Sequence, residues 1–281
     1  MAALDAAKAA AKGWAATAPR QRGEILRRAY EAMTAKADGL AALMTAENGK
    51  PLAESLGEIA YAAEFFRWYG EEAVRMLGEV SLAPAGNARL MVEYQPVGTA
   101  LLITPWNFPA AMITRKVAPA LAAGCTVILK PAIETPLSAL AIVMILQDAG
   151  LPPGVVNVIT PKDPAPVSEA LMRDARLRKI SFTGSTPVGR LLLKGAAGNV
   201  LKASMELGGN APFLVLADAD IDAAIDGAMI AKMRNGGQAC TAANRIYVQK
   251  GVLKEFTDKL IARMTALKLG DGTDPDTALG P

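Results

Sequence analysis

"VGTALLITPWNFPAAMITRKVAPALAAGCTVILKPA", residues 97–132, decides the fold. "GTALLI" (98–103) is a short apolar run ended by Thr-Pro, and "TVILK" (126–130) is another, opened after Gly124 and closed by Pro131. Between them the apolar residues recur at helical spacing from about Ala110. A short apolar strand, a helix and a second short apolar strand form a βαβ unit, which places the two strands parallel. The runs do not alternate with polar residues, so both faces of each strand are expected to be covered.

Reading outward, the alternation continues. A helix is expected over 135–149, a strand at "VVNVI" (155–159), a helix over 166–175, a strand at "RKISF" (178–182) and a helix over 187–197. Upstream, Ile25, Ala29, Met33, Leu40 and Met44 keep helical spacing, so the first 80 residues read as helices. "RLMVEYQ" (89–95) alternates instead and reads as an exposed strand or hairpin arm. After "MELGGN" (205–210) come a strand at "FLVL", a helix opened by aspartates, a strand at "RIYVQ" and a helix marked by Leu253, Phe256, Leu260, Met264 and Leu267. The fold class is α/β. Two strands and two helices are too little for an independent second domain. In open parallel sheets the ligand lies beyond the carboxyl ends of the strands. That singles out the residues after each one: "TPWN", "KPA", "TPKD" and "TGST".

Composition removes several functions. The 281 residues carry a net charge of only +3 with no basic run, which argues against nucleic-acid binding. The apolar run Leu137–Leu146 is far too short for a bilayer span, and the first residues, with Asp5, Lys8 and Lys12, do not read as a signal peptide. Two cysteines 115 positions apart form neither a metal site nor a disulfide framework, so no metal and a cytoplasmic setting are expected. With no histidine in the chain, Ser-His-Asp and Cys-His catalysis are excluded.

Five stretches remain that could do chemistry. Cys240 follows "NGGQA", where Asn235, Gly236 and Gly237 break a helix. A cysteine there can keep its own N–H free for a substrate oxygen, against the competing reading of a small buried hydrophobe. Cys125 leads into an apolar strand and reads as inert. Glu206 lies between Met205 and Leu207 beside a Gly-Gly turn, which suggests a partly desolvated carboxyl suited to general base work, or else a surface-turn carboxylate. "FTGSTPVG" (182–189) places Gly184 and Ser185 ahead of a helix whose free N–H groups could bind phosphate, although no G-x-G-x-x-G is present. Asn107 could donate its amide to an oxyanion, or simply fill a turn. Lys130, at the carboxyl end of a strand, could bond a ribose or phosphate, or be solvated.

Together, "TPWNFP", "ILKPA", "SFTGS", "MELGGN" and "NGGQAC", in this order and spacing, resemble the aldehyde dehydrogenase superfamily, with Glu206 and Cys240 34 positions apart. The chain looks most similar to the succinate-semialdehyde dehydrogenases, through "AMITRKVAPALAAGCTVILKPA" and "KMRNGGQACTAANRIYVQ". The resemblance implies a parallel-sheet dinucleotide-binding domain from residues 1–82 and 98–208, an oligomerisation arm at 83–97 and an incomplete α/β catalytic domain at 209–281. It implies Cys240 as nucleophile, Glu206 as base for thioester hydrolysis and Asn107 as oxyanion donor. The dinucleotide would be lined by Thr104, Pro105, Trp106, Asn107, Lys130, Ile133, Gly184, Ser185, Val188 and Leu207. Arg115 and Arg234 would hold the far carboxylate of a semialdehyde acid, or be surface cations.

Ile133 stands where many NAD-preferring members have Glu, so NADP is favoured over NAD. "TPKDPAPV" (160–167) departs from the family's glycine-rich turn. Family members continue beyond the last residue here and begin earlier, so the chain is expected to be a fragment of a homo-oligomeric enzyme. The alternatives are an inactive remnant that binds nucleotide or a partner, and a different thiol enzyme such as an acyltransferase.

Overall fold

The computed structural model describes residues Met1–Pro281. Four helices lead: α1 (Ala2–Ala16), α2 (Pro19–Ala35), α3 (Ala37–Asn48) and α4 (Leu52–Glu72). A hairpin of β1 (Glu79–Leu82) and β2 (Arg89–Val92) follows. The alternating region forms β3 (Thr99–Ile103), α5 (Ala111–Ala122), β4 (Val127–Lys130), α6 (Pro136–Asp148), β5 (Val156–Val158), α7 (Pro164–Arg173), β6 (Leu177–Gly184), α8 (Thr186–Ala197) and β7 (Lys202–Leu207). The last part is β8 (Ala211–Val215), α9 (Ile221–Met233), a 3-10 turn (Arg234–Gly237), β9 (Ala243–Val248) and α10 (Leu253–Thr265).

The central sheet runs β5-β4-β3-β6-β7 with every pair parallel. Strand order reverses between β3 and β6, where Ile103 pairs with Phe182. A crevice opens at such a reversal because the crossover helices leave in opposite directions. The reversal puts the "TPWN" and "TGS" segments side by side.

Alternation along β3 assigns its two faces. Ala100 and Leu102 enter the larger core with α2, α4, α5 and α6, while Leu101 and Ile103 enter a second core with Leu4, Leu171, Ile180 and Leu192. Each such buried aliphatic side chain contributes about 1.5–3 kcal/mol by leaving water. Both faces are covered, as the unbroken apolar runs require. Helices α2 and α4 cross at two glycines, and a Cβ on Gly23 would lie 2.6 Å from the Gly70 carbonyl oxygen. Any side chain at either position forces them apart.

The β1–β2 hairpin is exposed at every position and begins at Glu79, four residues before the expected arm at 83. Strands β8 and β9 form a separate two-stranded parallel sheet, packed on α9 and α10 around Val215, Ile225 and Phe256. No helix is long and apolar enough to cross a membrane.

Candidate active site

Asn107 lies in the loop that leaves β3 at the sheet's reversal point. The loop is held by a buried ion pair, between residues with no local signal in the sequence. Glu58, on α4, meets Lys50 Nζ at 2.5 Å, and the two side chains are 2% and 5% exposed. The other Glu58 oxygen accepts from the Ala110 and Ala111 N–H groups at 2.8 and 3.1 Å, which caps the start of α5. Lys50 also donates to the Asn107 carbonyl oxygen at 2.9 Å.

The Asn107 side chain donates to the Gln238 carbonyl oxygen at 2.6 Å. One amide hydrogen is anchored there and the second stays available. The Asn107 carbonyl oxygen also accepts from Asn235 Nδ2 at 2.8 Å. Two residues 128 and 131 positions away therefore bind Asn107 to the Cys240 loop.

That loop begins where α9 ends. Asn235, Gly236 and Gly237 all take positive φ, at 54°, 62° and 76°. Asparagine tolerates the left-handed region better than most residues, and glycine adopts it without steric cost. Asn235 is buried, and its N–H donates to Glu54 on α4 at 2.8 Å. The chain then turns, with the Ala242 N–H on the Ala239 carbonyl at 3.0 Å, and presents Cys240 exposed. No protein acceptor takes the Cys240 N–H. Cys125 is buried just before β4, as expected of an inert thiol.

Glu206 departs from expectation. It is exposed on β7, the edge strand of the central sheet, paired with Thr183. Met205 and Leu207 are half-buried, but adjacent strand residues point to opposite faces, so they do not desolvate Glu206. The turn after it still reaches the nucleophile loop, since a Cβ on Gly209 would lie 3.2 Å from the Cys240 carbonyl oxygen. The strongly perturbed group nearby is Lys116. It is 7% exposed, donates to Ser181 Oγ at 2.8 Å, and burial lowers its pKa to about 8, partly opposed by the Glu206 charge. Lys116, Ser181, Lys179 and Glu206 share a cavity of about 580 Å³.

The dinucleotide candidates gather at the carboxyl ends of β3, β4, β6 and β7. Ile103, Lys130, Phe182 and Val188 line one cavity of about 700 Å³ between α7 and α8. Lys130 is half-buried, and burial lowers its pKa against the opposing pull of Glu134. Ile133 is exposed beyond it, as is Trp106. Gly184 ends β6, and Ser185 takes extended dihedrals at the N-cap of α8 without a side-chain cap bond. Leu207 packs on Gly189, where a Cβ would come within 2.6 Å.

The hydroxyls of Thr104 and Thr183, either side of the sheet's reversal, are buried with no partner. Orphaned hydroxyls and an apolar cleft are the features a nucleotide's polar atoms and flat ring would satisfy. At "TPKD" the family's glycine turn is replaced by a capped helix start, in which Asp163 accepts from the Ala165 N–H at 3.3 Å and Pro164 opens α7.

Arg115 and Arg234 are both exposed. Arg115 donates to the Tyr61 hydroxyl at 3.2 Å and stands 5.4 Å over the Phe65 ring. Arg234 stands 5.6 Å over Phe108 and lines a smaller cavity of about 240 Å³ with Glu54, Tyr61, Phe108 and Asn235.

The site thus places an exposed thiol on a loop of positive-φ residues, an amide anchored two residues from it, and a cavity at the sheet's reversal. The profile of the aldehyde dehydrogenase family matches residues 1–281, and the chain belongs to that family. It is 57% identical over 281 residues to a succinate-semialdehyde dehydrogenase of Paenarthrobacter nicotinovorans, covering 100% of this chain and 62% of the relative. It is 52% identical over 279 residues to a glutarate-semialdehyde dehydrogenase of Pseudomonas putida, covering 99% and 58%. A solved E. coli NADP-dependent enzyme superposes with a TM-score of 0.97 at 50% identity, over 100% of this chain and 58% of that one. The chain thus spans about three-fifths of the length of these relatives.

Proposed function

We propose that this chain is the nucleotide-binding and nucleophile-bearing part of an enzyme that oxidises a short ω-semialdehyde acid, such as succinate semialdehyde, to the diacid. One observation carries the reading. The Asn107 amide is anchored two residues from Cys240, whose own N–H is free, so two donors are available to one oxygen next to one thiol. The Cys240 thiolate adds to the aldehyde carbon, and these donors take the developing oxyanion. Collapse of the adduct expels hydride and leaves a thioester on Cys240. A bound nicotinamide dinucleotide supplies the hydride acceptor. Glu206 then takes a proton from the water that attacks the thioester, and the Cys240 thiolate leaves as the acid forms. Glu206 is exposed and shares a cavity with Lys116, Lys179 and Ser181.

Thr104, Pro105, Trp106, Lys130, Gly184, Ser185, Val188 and Leu207 are the residues that would hold the dinucleotide. Ile133 favours NADP, since an aliphatic side chain places no negative charge against a 2′-phosphate, and the E. coli structural relative is described as NADP-dependent. Arg115 and Arg234 would receive the substrate's carboxylate, consistent with relatives named for four- and five-carbon semialdehyde acids. The division into residues 1–82 with 98–208, an arm at 83–97 and a partial catalytic unit at 209–281 belongs to the same proposal. So does homo-oligomer assembly through the exposed hairpin, where Val80, Leu82, Leu90 and Met91 lie open.

The test is reduction of NADP by succinate semialdehyde, abolished by Cys240→Ala. Arg234→Ala should raise KM for succinate semialdehyde far more than for butanal. Equal effects on the two aldehydes would refute the acid-recognition part. Dinucleotide binding without turnover would favour the inactive remnant instead.

A further inference from the structure

Helix α4 turns one stripe toward the site. Glu54, Gly57, Glu58, Tyr61 and Phe65 fall at i, i+3, i+4, i+7 and i+11, so they share a face. The first part of the stripe fixes the loops, with Glu54 on the Asn235 N–H and Glu58 on the start of α5. The second part meets the arginines. Tyr61 alone lines the Arg234 cavity and also bonds Arg115. Its ring is set by an edge contact on Phe65, with centroids 5.1 Å apart at 62°. Phe65 in turn lies beneath the Arg115 guanidinium.

Six of the chain's other arginines, Arg27, Arg67, Arg75, Arg173, Arg176 and Arg263, close on a carboxylate. Arg115 and Arg234 instead rest on aromatic rings. A guanidinium on a ring keeps its N–H fork free for an incoming anion.

We propose that Tyr61 is a positioning residue for acid recognition: from the wall of the Arg234 cavity its hydroxyl holds the Arg115 guanidinium, and Phe65 backs it. The inference rests on the reading of Arg115 and Arg234 as the carboxylate-binding pair. Tyr61 acts through Arg115, by accepting one N–H and leaving the rest of the fork for the substrate. Removing the hydroxyl frees the guanidinium to swing, which weakens binding of the acid without touching the reacting carbon.

The experiment compares wild type, Tyr61→Phe, Arg115→Ala and the double variant with succinate semialdehyde and butanal. Tyr61→Phe should raise KM for succinate semialdehyde about tenfold and KM for butanal less than about twofold, with kcat for both nearly constant. Added to Arg115→Ala, it should change KM less than about twofold, because its partner is already gone. Protection of Cys240 from alkylation by succinate, against butyrate, reads the same contrast in the four proteins without turnover. If Arg115→Ala weakens acid binding and Tyr61→Phe does not, or if Tyr61→Phe affects both aldehydes equally, the Tyr61 inference falls and acid recognition by the arginines stands. Full additivity in the double variant also overturns it. If Arg115→Ala leaves acid binding unchanged, the reading beneath it falls as well.

Discussion

The buried Lys50–Glu58 pair offers the sharpest test of how the site is built. Glu58→Leu strands the Lys50 ammonium at a position only 5% exposed, with the Asn107 carbonyl at 2.9 Å and the Phe108 ring at 4.8 Å as its remaining partners. Removing one member of a buried pair costs about 3–5 kcal/mol. The same change orphans the Ala110 and Ala111 N–H groups, worth about 1–3 kcal/mol each. These terms share one site and do not add in full, so the expected loss is about 5 kcal/mol. Lys50→Met should cost less, about 3 kcal/mol, because the carboxylate keeps two charge-assisted bonds at the positive end of α5. The Lys50→Met/Glu58→Leu double variant leaves no buried charge, and should fall short of the summed single losses by more than about 2 kcal/mol. Urea unfolding followed by circular dichroism measures all three, with constant slopes confirming a shared unfolded state. In turnover, Glu58→Leu should lower kcat by up to about 100-fold by releasing the Asn107 loop. Additive losses, or a larger loss from Lys50→Met than from Glu58→Leu, would mean that the two side chains are not a coupled buried pair.

Other perturbations probe the remaining groups. Lys116 carries a folded-state pKa of about 8 against an ordinary 10.5, so the unfolded chain binds more protons between those values. Wild-type stability should therefore rise as pH climbs from about 8 toward 10.5, and the cost of about 3 kcal/mol applies in full below that window. Lys116→Met should be more stable than wild type at pH 7 by about 2 kcal/mol, since Ser181 loses its partner, with the gap closing at high pH. A gap that stays flat across the window would contradict this. Ile133→Glu should move the ratio of kcat/KM for NADP over NAD toward NAD by about tenfold or more, read from initial rates. Gly23→Ala should destabilise the α2–α4 crossing by about 1–3 kcal/mol in the same urea assay, because the Gly70 carbonyl occupies the methyl's place.

The central sheet was legible because each strand is a short apolar run bounded by Gly or Pro, and β3 to α8 fall within a few residues of their expected limits. Cys240, Asn107 and Lys130 were legible because their positions follow from local breaks in those elements. Glu58 was not. Its carboxylate serves N–H groups 52 and 53 positions away, and in "ESLGEIAYAAEFF" it reads as one more acidic residue on a helix surface. Asn235 reads as a helix break, but its bond to Asn107, like Tyr61's to Arg115, was not legible, since the partners lie 128 and 54 positions off. Lys116 did leave a signal. It sits three residues after Ile113 and beside Val117 on the apolar stripe of α5, but a lysine on such a stripe is normally read as reaching back to water. Glu206 was misjudged by treating its sequence neighbours as its spatial ones, which holds in a turn but not in a strand.

The proposed chemistry turns on a covalent thioester on Cys240 that Glu206 helps to release. Mass spectrometry of Glu206→Gln protein mixed with NADP and succinate semialdehyde tests it directly. A single succinyl group should appear on the Cys240 peptide, formed with one equivalent of NADPH and then hydrolysed slowly. NADPH formation with no adduct on Cys240, or turnover that survives in Cys240→Ala, would contradict it.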